Sequence, residues 1–193
     1  MVSGCLFALS KIDELDNRGK LLSIILILPI FRIANLFLII DVFWKVFILY
    51  GVLLFLISYY TIKFKIDPGY NKKGLLFLPL VVILAVLLGI VGNFYFEIEK
   101  SFWMLFLLPV ICYSEEILFR GMIQKLIGEN YGVFSGVLIS SLLYGIFSMG
   151  LGYLAIFMFF CGLFISLIYA IFKNIYLTIV FNFVIHFFLF ILG

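Results

Sequence analysis

The sequence contains little charge: only 12% of its 193 residues are Asp, Glu, Lys or Arg, while 66% are hydrophobic. A soluble globular domain is roughly half apolar and one quarter charged. The composition therefore excludes an ordinary soluble domain and predicts an integral membrane protein surrounded by lipid. Because the basic residues lie mostly between the apolar runs, the small net charge of +3 gives no reason to expect a nucleic-acid partner.

Metal-binding and disulfide-forming residues are also scarce. The three cysteines are odd in number and two of them lie in apolar runs, so no disulfide framework is indicated. A zinc site usually takes three or four N, O or S ligands, and a single histidine supports zinc only weakly. No cofactor is required by the sequence, and the identity of any metal stays open. The sequence also lacks a His-Glu-x-x-His motif, a glycine-rich phosphate loop and a Ser-x-x-Lys dyad.

What the sequence has in abundance is apolar runs of about 20 residues, the length that crosses a bilayer as a helix. They predict an all-α fold, a polytopic membrane helical bundle of about seven transmembrane helices. Residues 1–20 form a predicted cytoplasmic N-terminal lead, and residues 21–193 form a single membrane domain. The predicted spans are 21–40, Val46–Ile62, Leu75–Phe96, Phe102–Ile127, Val133–Ser148, Tyr153–Phe172 and Tyr176–Leu192.

Basic residues are divided unevenly between the two sides of this bundle. The side that carries the N-terminus holds nine: Lys11, Arg18, Lys20, Lys63, Lys65, Lys72, Lys73, Lys125 and Lys173. The opposite side holds two, Lys45 and Lys100. Since cytoplasmic loops carry the excess of Lys and Arg, this distribution predicts that the N-terminus lies in the cytoplasm.

Three charged residues, Glu115, Glu116 and Arg120, interrupt the fourth apolar run. A charged side chain at the centre of a membrane helix costs roughly 2.5–3.5 kcal/mol on insertion scales, so an intramembrane ionisable residue is by default a functional-site hypothesis. Glu116 and Arg120 are four residues apart and can pair on a helix. Glu115 lies about 100° further round the helix. Because Arg120 cannot easily neutralise both carboxylates, one is left available for chemistry or for a ligand.

Two further spans carry polar pairs at helical spacing: Tyr144 and Ser148 in the fifth, and Asn182 and His186 in the seventh. Helix packing and interhelical hydrogen bonds are the usual roles of such residues, and this remains the alternative for each. A carboxylate in a water-poor helix could instead activate water for peptide hydrolysis. Arg, Asn, Ser or Tyr side chains would then donate hydrogen bonds to the oxyanion.

The acidic motif also resembles a known family. Glu115-Glu116-x-x-x-Arg120, followed by Gly121, resembles the first motif of the CPBP family. This family groups the type II CAAX prenyl endopeptidases with bacteriocin-processing and self-immunity (Abi) proteins. Tyr144 and Ser148 fall at the second motif, Phe-x-x-x-His, and Asn182-x-x-x-His186 falls at the third, His-x-x-x-Asn. The resemblance covers roughly residues 101–190.

The resemblance implies an endopeptidase of the bacterial plasma membrane with a cytoplasm-open cavity and a peptide or membrane protein as substrate or partner. In the family the first glutamate is assigned to water activation or to metal binding, and this role falls on Glu115. The other implied catalytic residues are Glu116, Arg120, Asn182 and His186, with Tyr144 and Ser148 in support.

The two family histidine positions are Ser148 and Asn182 in this chain, and His186 stands where the family has asparagine. This departure leaves open an alternative, a catalytically inactive member that provides bacteriocin self-immunity or regulates a membrane protein by binding it. A third interpretation is a small transporter or channel in which Glu115 and Glu116 form a proton or cation site.

Overall fold

The computed structural model describes residues 17–26, 28–30, 42–70, 74–95, 102–148 and 154–192. Most of the predicted lead and of the first predicted span therefore lies outside the described residues, as do Lys72, Lys73 and Lys100 of the predicted loops. Within the described ranges every regular element is helical. The predicted all-α class is confirmed.

The helices follow the apolar runs of the sequence. They are α1 (Asn17–Ile25), α2 (Val42–Phe64), a 3₁₀ turn (Leu75–Phe77), α3 (Leu78–Tyr95), α4 (Phe102–Glu116), a π-helix (Ile117–Gln124), α5 (Lys125–Tyr131), α6 (Val133–Phe147), α7 (Leu154–Phe172) and α8 (Ile175–Leu192). Because the 3₁₀ turn continues into α3, and α4, the π-helix and α5 are continuous, these elements form seven helical segments in the part of the chain that the structure describes. Six of them coincide with the second to seventh predicted spans, and α1 overlaps the end of the predicted lead and the start of the first span.

Several of these helices suit a bilayer in both length and surface. Three stretches are long and apolar enough to cross one: Trp44–Phe64, Leu75–Asn93 and Leu154–Phe172. Large apolar side chains face outward, and Phe55, Ile62 and Leu76 are 71%, 78% and 88% exposed. An apolar surface this extensive is typical of contact with hydrocarbon rather than water. The protein is therefore an integral membrane protein built as a helical bundle.

The π-helix forms the centre of the bundle, and all eight of its residues are buried. Its backbone and side chains are held by the helices on either side. The Ser140 hydroxyl of α6 donates to the carbonyl of Phe119 (2.9 Å), and Gln124 Nε2 donates to the carbonyl of Ser166 in α7 (2.8 Å). Short π-helical segments are rare and often occur at functional sites. This segment directly follows the acidic pair.

At one end of the bundle, residues that follow α2 are hydrogen-bonded to two other helices. Lys125 Nζ of α5 donates to the carbonyl of Asp67 (2.7 Å), and the N–H of Ile175 donates to the carbonyl of Gly69 (3.1 Å). The C-terminal end of α2, the α5 region and the start of α8 therefore meet at the same end, as alternating spans require.

Candidate active site

Three helices place a hydrogen-bond donor against the Glu115 carboxylate of α4. Its Oε1 accepts a hydrogen bond from the Tyr50 hydroxyl of α2 (2.8 Å). Its Oε2 accepts from the Tyr144 hydroxyl of α6 and from Asn182 Nδ2 of α8, each at 3.3 Å. Glu115 is only 6% exposed. A buried carboxylate is therefore held by neutral donors from three directions.

The Tyr144 hydroxyl is the centre of this network. The residue is fully buried, and its hydroxyl oxygen also lies 3.1 Å from Asn182 Oδ1 and 3.5 Å from His186 Nε2. A phenol has a single proton, so Tyr144 can donate to only one of these neighbours at a time. His186 either accepts this proton or, in its Nε2–H tautomer, donates to the phenol oxygen. The hydroxyl can thus turn from one acceptor to another without moving the ring.

The second carboxylate of the pair has a different environment. Glu116 Oε1 accepts a hydrogen bond from Arg120 Nη1 at 3.2 Å, and both side chains are fully buried. Arg120 Nη2 donates to the carbonyl of Gly162 in α7 (3.0 Å). The guanidinium also lies over the Tyr144 ring, 4.6 Å from its centroid, a cation–π geometry. The predicted ion pair between Glu116 and Arg120, four residues apart, is present. Arg120 therefore pairs with Glu116 and not with Glu115.

A glycine in α7 makes this arrangement sterically feasible. A Cβ added at Gly162 would lie 2.8 Å from Tyr144 Cδ1 and 3.3 Å from Arg120 Nη2. The first distance is too short for a real contact, and the neighbour is part of a packed ring. Gly162 therefore lets α7 approach closely enough to accept the hydrogen bond from Arg120 while the tyrosine stacks on the guanidinium.

The network lies deep in the bundle. Glu115 is 6% exposed, and Glu116 and Arg120 are fully buried. Helices therefore enclose these charged side chains, and none of the three is turned toward acyl chains.

The structure brings together most of the side chains that the sequence indicated. Glu115, Tyr144, Asn182 and His186 form one hydrogen-bonded group, and the Glu116–Arg120 pair adjoins it; their catalytic roles remain a prediction. Ser148 does not join through its hydroxyl, which donates to the carbonyl of Tyr144 in its own helix (3.0 Å).

Tyr50 is the contributor that the sequence did not reveal. It is one of 11 tyrosines and lies inside an apolar run with no motif around it. Its only sequence signal is a phenol near the middle of α2.

The donors around Glu115 do not fit a zinc site. No group of three or more His, Cys, Asp or Glu side chains in the described ranges is placed to hold a metal ion. The groups that contact Glu115 are two phenols and an amide, whereas zinc is bound by thiolate, imidazole and carboxylate groups. The chemistry proposed below therefore relies on the residues of this chain alone.

An acidic site enclosed in a helical membrane bundle defines the class of protein: a polytopic membrane protein with a buried polar centre. Comparison with known families is consistent with this. Residues 99–188 match the family model described as Type II CAAX prenyl endopeptidase Rce1-like. This segment, somewhat less than half of the chain, runs from before α4 into α8 and includes every member of the network except Tyr50. The predicted resemblance to the CPBP family is confirmed, and the match supports an intramembrane protease of the CAAX type.

No curated protein and no solved structure matches the chain.

Proposed function

We propose that the protein is an intramembrane endopeptidase in which Glu115 acts as the general base. The observation that supports this most directly is the convergence of Tyr50, Tyr144 and Asn182 on the Glu115 carboxylate. The arginine that could have neutralised this carboxylate is paired with Glu116 instead. Glu115 is thus oriented by neutral donors and kept available to accept a proton.

In the proposed reaction, Glu115 takes a proton from a water molecule while the water oxygen bonds to the carbonyl carbon of the scissile peptide. The Tyr144 hydroxyl and the Asn182 amide N–H donate to the oxyanion that forms, a contribution that preorganised donors make in many hydrolases. When the tetrahedral intermediate collapses, the C–N bond breaks. The proton held by Glu115 passes to the leaving amine, and the carboxylate is restored.

The remaining residues position these groups. Tyr50 fixes Oε1 of Glu115 so that Oε2 faces Tyr144 and Asn182. His186 lies 3.5 Å from the Tyr144 hydroxyl and sets the direction in which that proton points. The Arg120 guanidinium stacks on one face of the Tyr144 ring and holds the ring in position.

The substrate that the matched family suggests is a membrane-anchored peptide with a C-terminal CAAX sequence. We infer that it approaches from the cytoplasm, because the charge distribution of nine basic residues against two favours a cytoplasmic N-terminus. This orientation puts the end of the bundle that carries Lys125 on the cytoplasmic side.

The direct test replaces Glu115 by glutamine, which keeps the size of the side chain and removes the base. Purified protein in liposomes is given a farnesylated peptide ending in a CAAX sequence, and release of the C-terminal tripeptide is followed by mass spectrometry. We expect Glu115→Gln to lower the rate by about 10²–10⁴-fold, the usual contribution of general base catalysis. Lys65→Gln, at an exposed loop position, should cleave normally. Equal cleavage by Glu115→Gln and the unchanged protein would refute the proposal.

A second function is favoured by one observation: the family histidine positions are Ser148 and Asn182, and the Ser148 hydroxyl is occupied within its own helix. A non-catalytic protein that confers bacteriocin self-immunity or binds another membrane protein would show this pattern. Such a protein should keep its protective or binding effect in Glu115→Gln and His186→Ala, and lose it when helix packing is disrupted. Loss of protection in Glu115→Gln with normal folding would speak against this second function.

A further inference from the structure

The polar network around Glu115 is enclosed by the helices that the structure describes. Glu115 is 6% exposed, Asn182 is 1% exposed and Tyr144 is fully buried. A peptide cannot reach these side chains in this conformation. Enzymes with such closed sites admit their substrates through a movement of loops or of larger elements. A substrate of this site therefore needs two neighbouring helices to separate.

The apolar contacts between helices indicate which two these are. One apolar cluster joins α8 to α3 and α7. A second cluster is built mainly on α1, α2, the π-helix and α5, and it includes Tyr144 of α6. Helices α2 and α6 are thus held through this second cluster to the π-helix, which continues α4. Helix α8 enters it only near its start, through Ile175 and the partly buried Ile179.

Beyond that first turn, the contacts of α8 with α4 at the site are polar. Asn182 Nδ2 donates to Glu115 Oε2 at 3.3 Å, and Thr178 and Asn182 lie beside the Glu116 carboxylate. When two helices part, water or the peptide groups of a ligand can replace polar contacts of this kind. An opening between α4 and α8 would also lead directly to Oε2 of Glu115.

A tyrosine from the loop after α2 joins these two helices at the surface. The Tyr70 hydroxyl lies 2.8 Å from the Tyr113 hydroxyl of α4. The Tyr70 ring packs on the Tyr176 ring of α8, with the ring centroids 5.5 Å apart. The three side chains are 43%, 37% and 45% exposed, in the order Tyr70, Tyr113, Tyr176. One hydrogen bond and one ring contact thus connect α4 to α8 through Tyr70.

The loop segment just before Tyr70 is anchored independently of this connection. Pro68 packs on Gly121 of the π-helix, where an added Cβ would lie 2.7 Å from Pro68 Cβ. The Pro68 carbonyl also accepts a hydrogen bond from the Tyr169 hydroxyl of α7 (3.1 Å). Loss of the hydrogen bond between Tyr70 and Tyr113 therefore releases α4 from the loop without detaching the loop from the bundle.

We propose that the substrate enters laterally between α4 and α8, and that the hydrogen bond between Tyr70 and Tyr113 is the latch that keeps this entrance closed. The identity of the substrate rests on the proposed peptidase function, whereas the latch does not. Helices α3 and α8 move together about the first turn of α8. Asn182 then leaves Glu115, and its amide N–H is free to donate to the carbonyl of the entering peptide.

Cys112 serves as a reporter of this opening. It lies on α4, one turn before Glu116, and is fully buried. The full-length protein with Cys5→Ser and Cys161→Ser keeps Cys112 as its only cysteine. In liposomes, the rate at which N-ethylmaleimide modifies this thiol measures how often α4 and α8 separate. The measurement does not require that the protein cleave anything.

The latch variants are Tyr70→Phe and Tyr113→Phe, which keep both rings and remove one hydroxyl each. We expect either variant to raise the modification rate of Cys112 about two- to tenfold, the effect of one neutral hydrogen bond, and the double variant to raise it no further. Tyr176→Phe removes a hydroxyl outside this hydrogen bond and should leave the rate unchanged. An unchanged rate in both single variants would overturn the latch.

Cys161 provides a matched control for general loosening of the bundle. It is 1% exposed and belongs to the apolar cluster of α3, α7 and α8. In a chain with Cys5→Ser and Cys112→Ser, its modification rate should be the same with and without Tyr70→Phe, because this cluster moves as a unit. An equal rise at Cys161 and at Cys112 would contradict an opening confined to α4 and α8.

Protection by substrate tests the route of entry. The farnesylated CAAX peptide is added to the Cys112 reporter chain that carries Glu115→Gln and Tyr70→Phe. At twice its Kd the peptide should slow modification of Cys112 about threefold, the factor 1 + [L]/Kd. Cleavage by the unchanged protein without such protection would refute entry between α4 and α8. Absence of both cleavage and protection would refute the proposed peptidase function and remove the peptide from this proposal, while the two rates without peptide still decide the latch.

Discussion

Helix α8 has two adjacent stripes of side chains, one apolar and one polar, and they make different kinds of contact. One consists of Leu177, Phe181, Ile185 and Leu189, which pack against Val81 and Ala85 of α3 and against Cys161 and Ile165 of α7. The other consists of Thr178, Asn182 and His186, one residue further along. Within each stripe the spacing is four residues, so each forms a continuous row on the helix surface.

The comparison shows that the two stripes need different neighbours. The apolar row needs only an apolar surface that it can approach closely. Helix α3 provides such a surface through small residues such as Ala85 and Gly89. The polar row needs a partner for each donor and acceptor, because the membrane offers none. Asn182 finds Glu115 and Tyr144, and His186 finds Tyr144. Changes on the polar side should therefore alter chemistry or leave charges unpaired, and changes on the apolar side should alter packing alone.

The largest effect is expected at the buried ion pair of Glu116 and Arg120, which adjoins the polar row of α8. Arg120→Met removes the cation and leaves Glu116 buried without it. Breaking a buried ion pair from one side costs about 3–5 kcal/mol, so the variant should show a strongly reduced free energy of unfolding. The loss is measured as a shift in the unfolding midpoint in mixed micelles of SDS and a mild detergent.

A double variant provides the control for this prediction. Glu116→Gln combined with Arg120→Met removes both charges, and most of the lost stability should return, because replacing a complete buried pair is often nearly neutral. If Arg120→Met alone unfolds at the same midpoint as the unchanged protein, the contribution that we assign to the pair is wrong.

On the apolar side the critical point is the close approach of α3 and α8. A Cβ added at Gly89 would lie 2.6 Å from Phe188 Cβ and 3.3 Å from the Ile185 carbonyl oxygen. We expect Gly89→Ala to lower the free energy of unfolding by about 1–3 kcal/mol through overpacking. The peptidase rate per folded molecule should stay unchanged, since the Asn182 side of α8 is not involved.

Gly51 of α2 offers a matched substitution, because an added Cβ there has nothing within 4 Å. Gly51→Ala should be neutral or stabilising by up to about 1 kcal/mol, the difference in helix propensity. Equal stability of the two alanine variants would show that α3 and α8 do not approach each other as closely as described.

The sequence was sufficient for features that depend on local spacing. Apolar runs of helical length specify the spans, and the four-residue separation of Glu116 and Arg120 brings them together on one helix whatever surrounds them. The π-helix could not be predicted in this way. Other helices bind its backbone, as the Ser140 hydroxyl binds the Phe119 carbonyl, and the linear pattern does not encode such contacts.

Competition between local and distant partners explains the remaining differences. Ser148 occupies a family histidine position, yet its hydroxyl donates a hydrogen bond to a carbonyl one turn earlier in the same helix. A serine readily makes this local bond, and a histidine side chain is too long to do so in the same way. Which tyrosine of α2 reaches Glu115 depends on the rotation of α2 about its axis, and this is set by packing over the whole bundle.

Tyr50 of α2 allows the most specific test of the hydrogen bonds that orient Glu115. Tyr50→Phe removes only the hydroxyl that donates to Glu115 Oε1. A hydrogen bond to a charged group contributes about 1.5–3 kcal/mol, so we expect the peptidase rate to fall by roughly ten- to 150-fold. The variant should stay folded, because the ring remains. Tyr59→Phe removes a hydroxyl of the same helix that binds Lys63 instead and should cleave at the normal rate. If Tyr50→Phe also cleaves normally, Glu115 is oriented by Tyr144 and Asn182 alone, and α2 contributes to the site only by enclosing it.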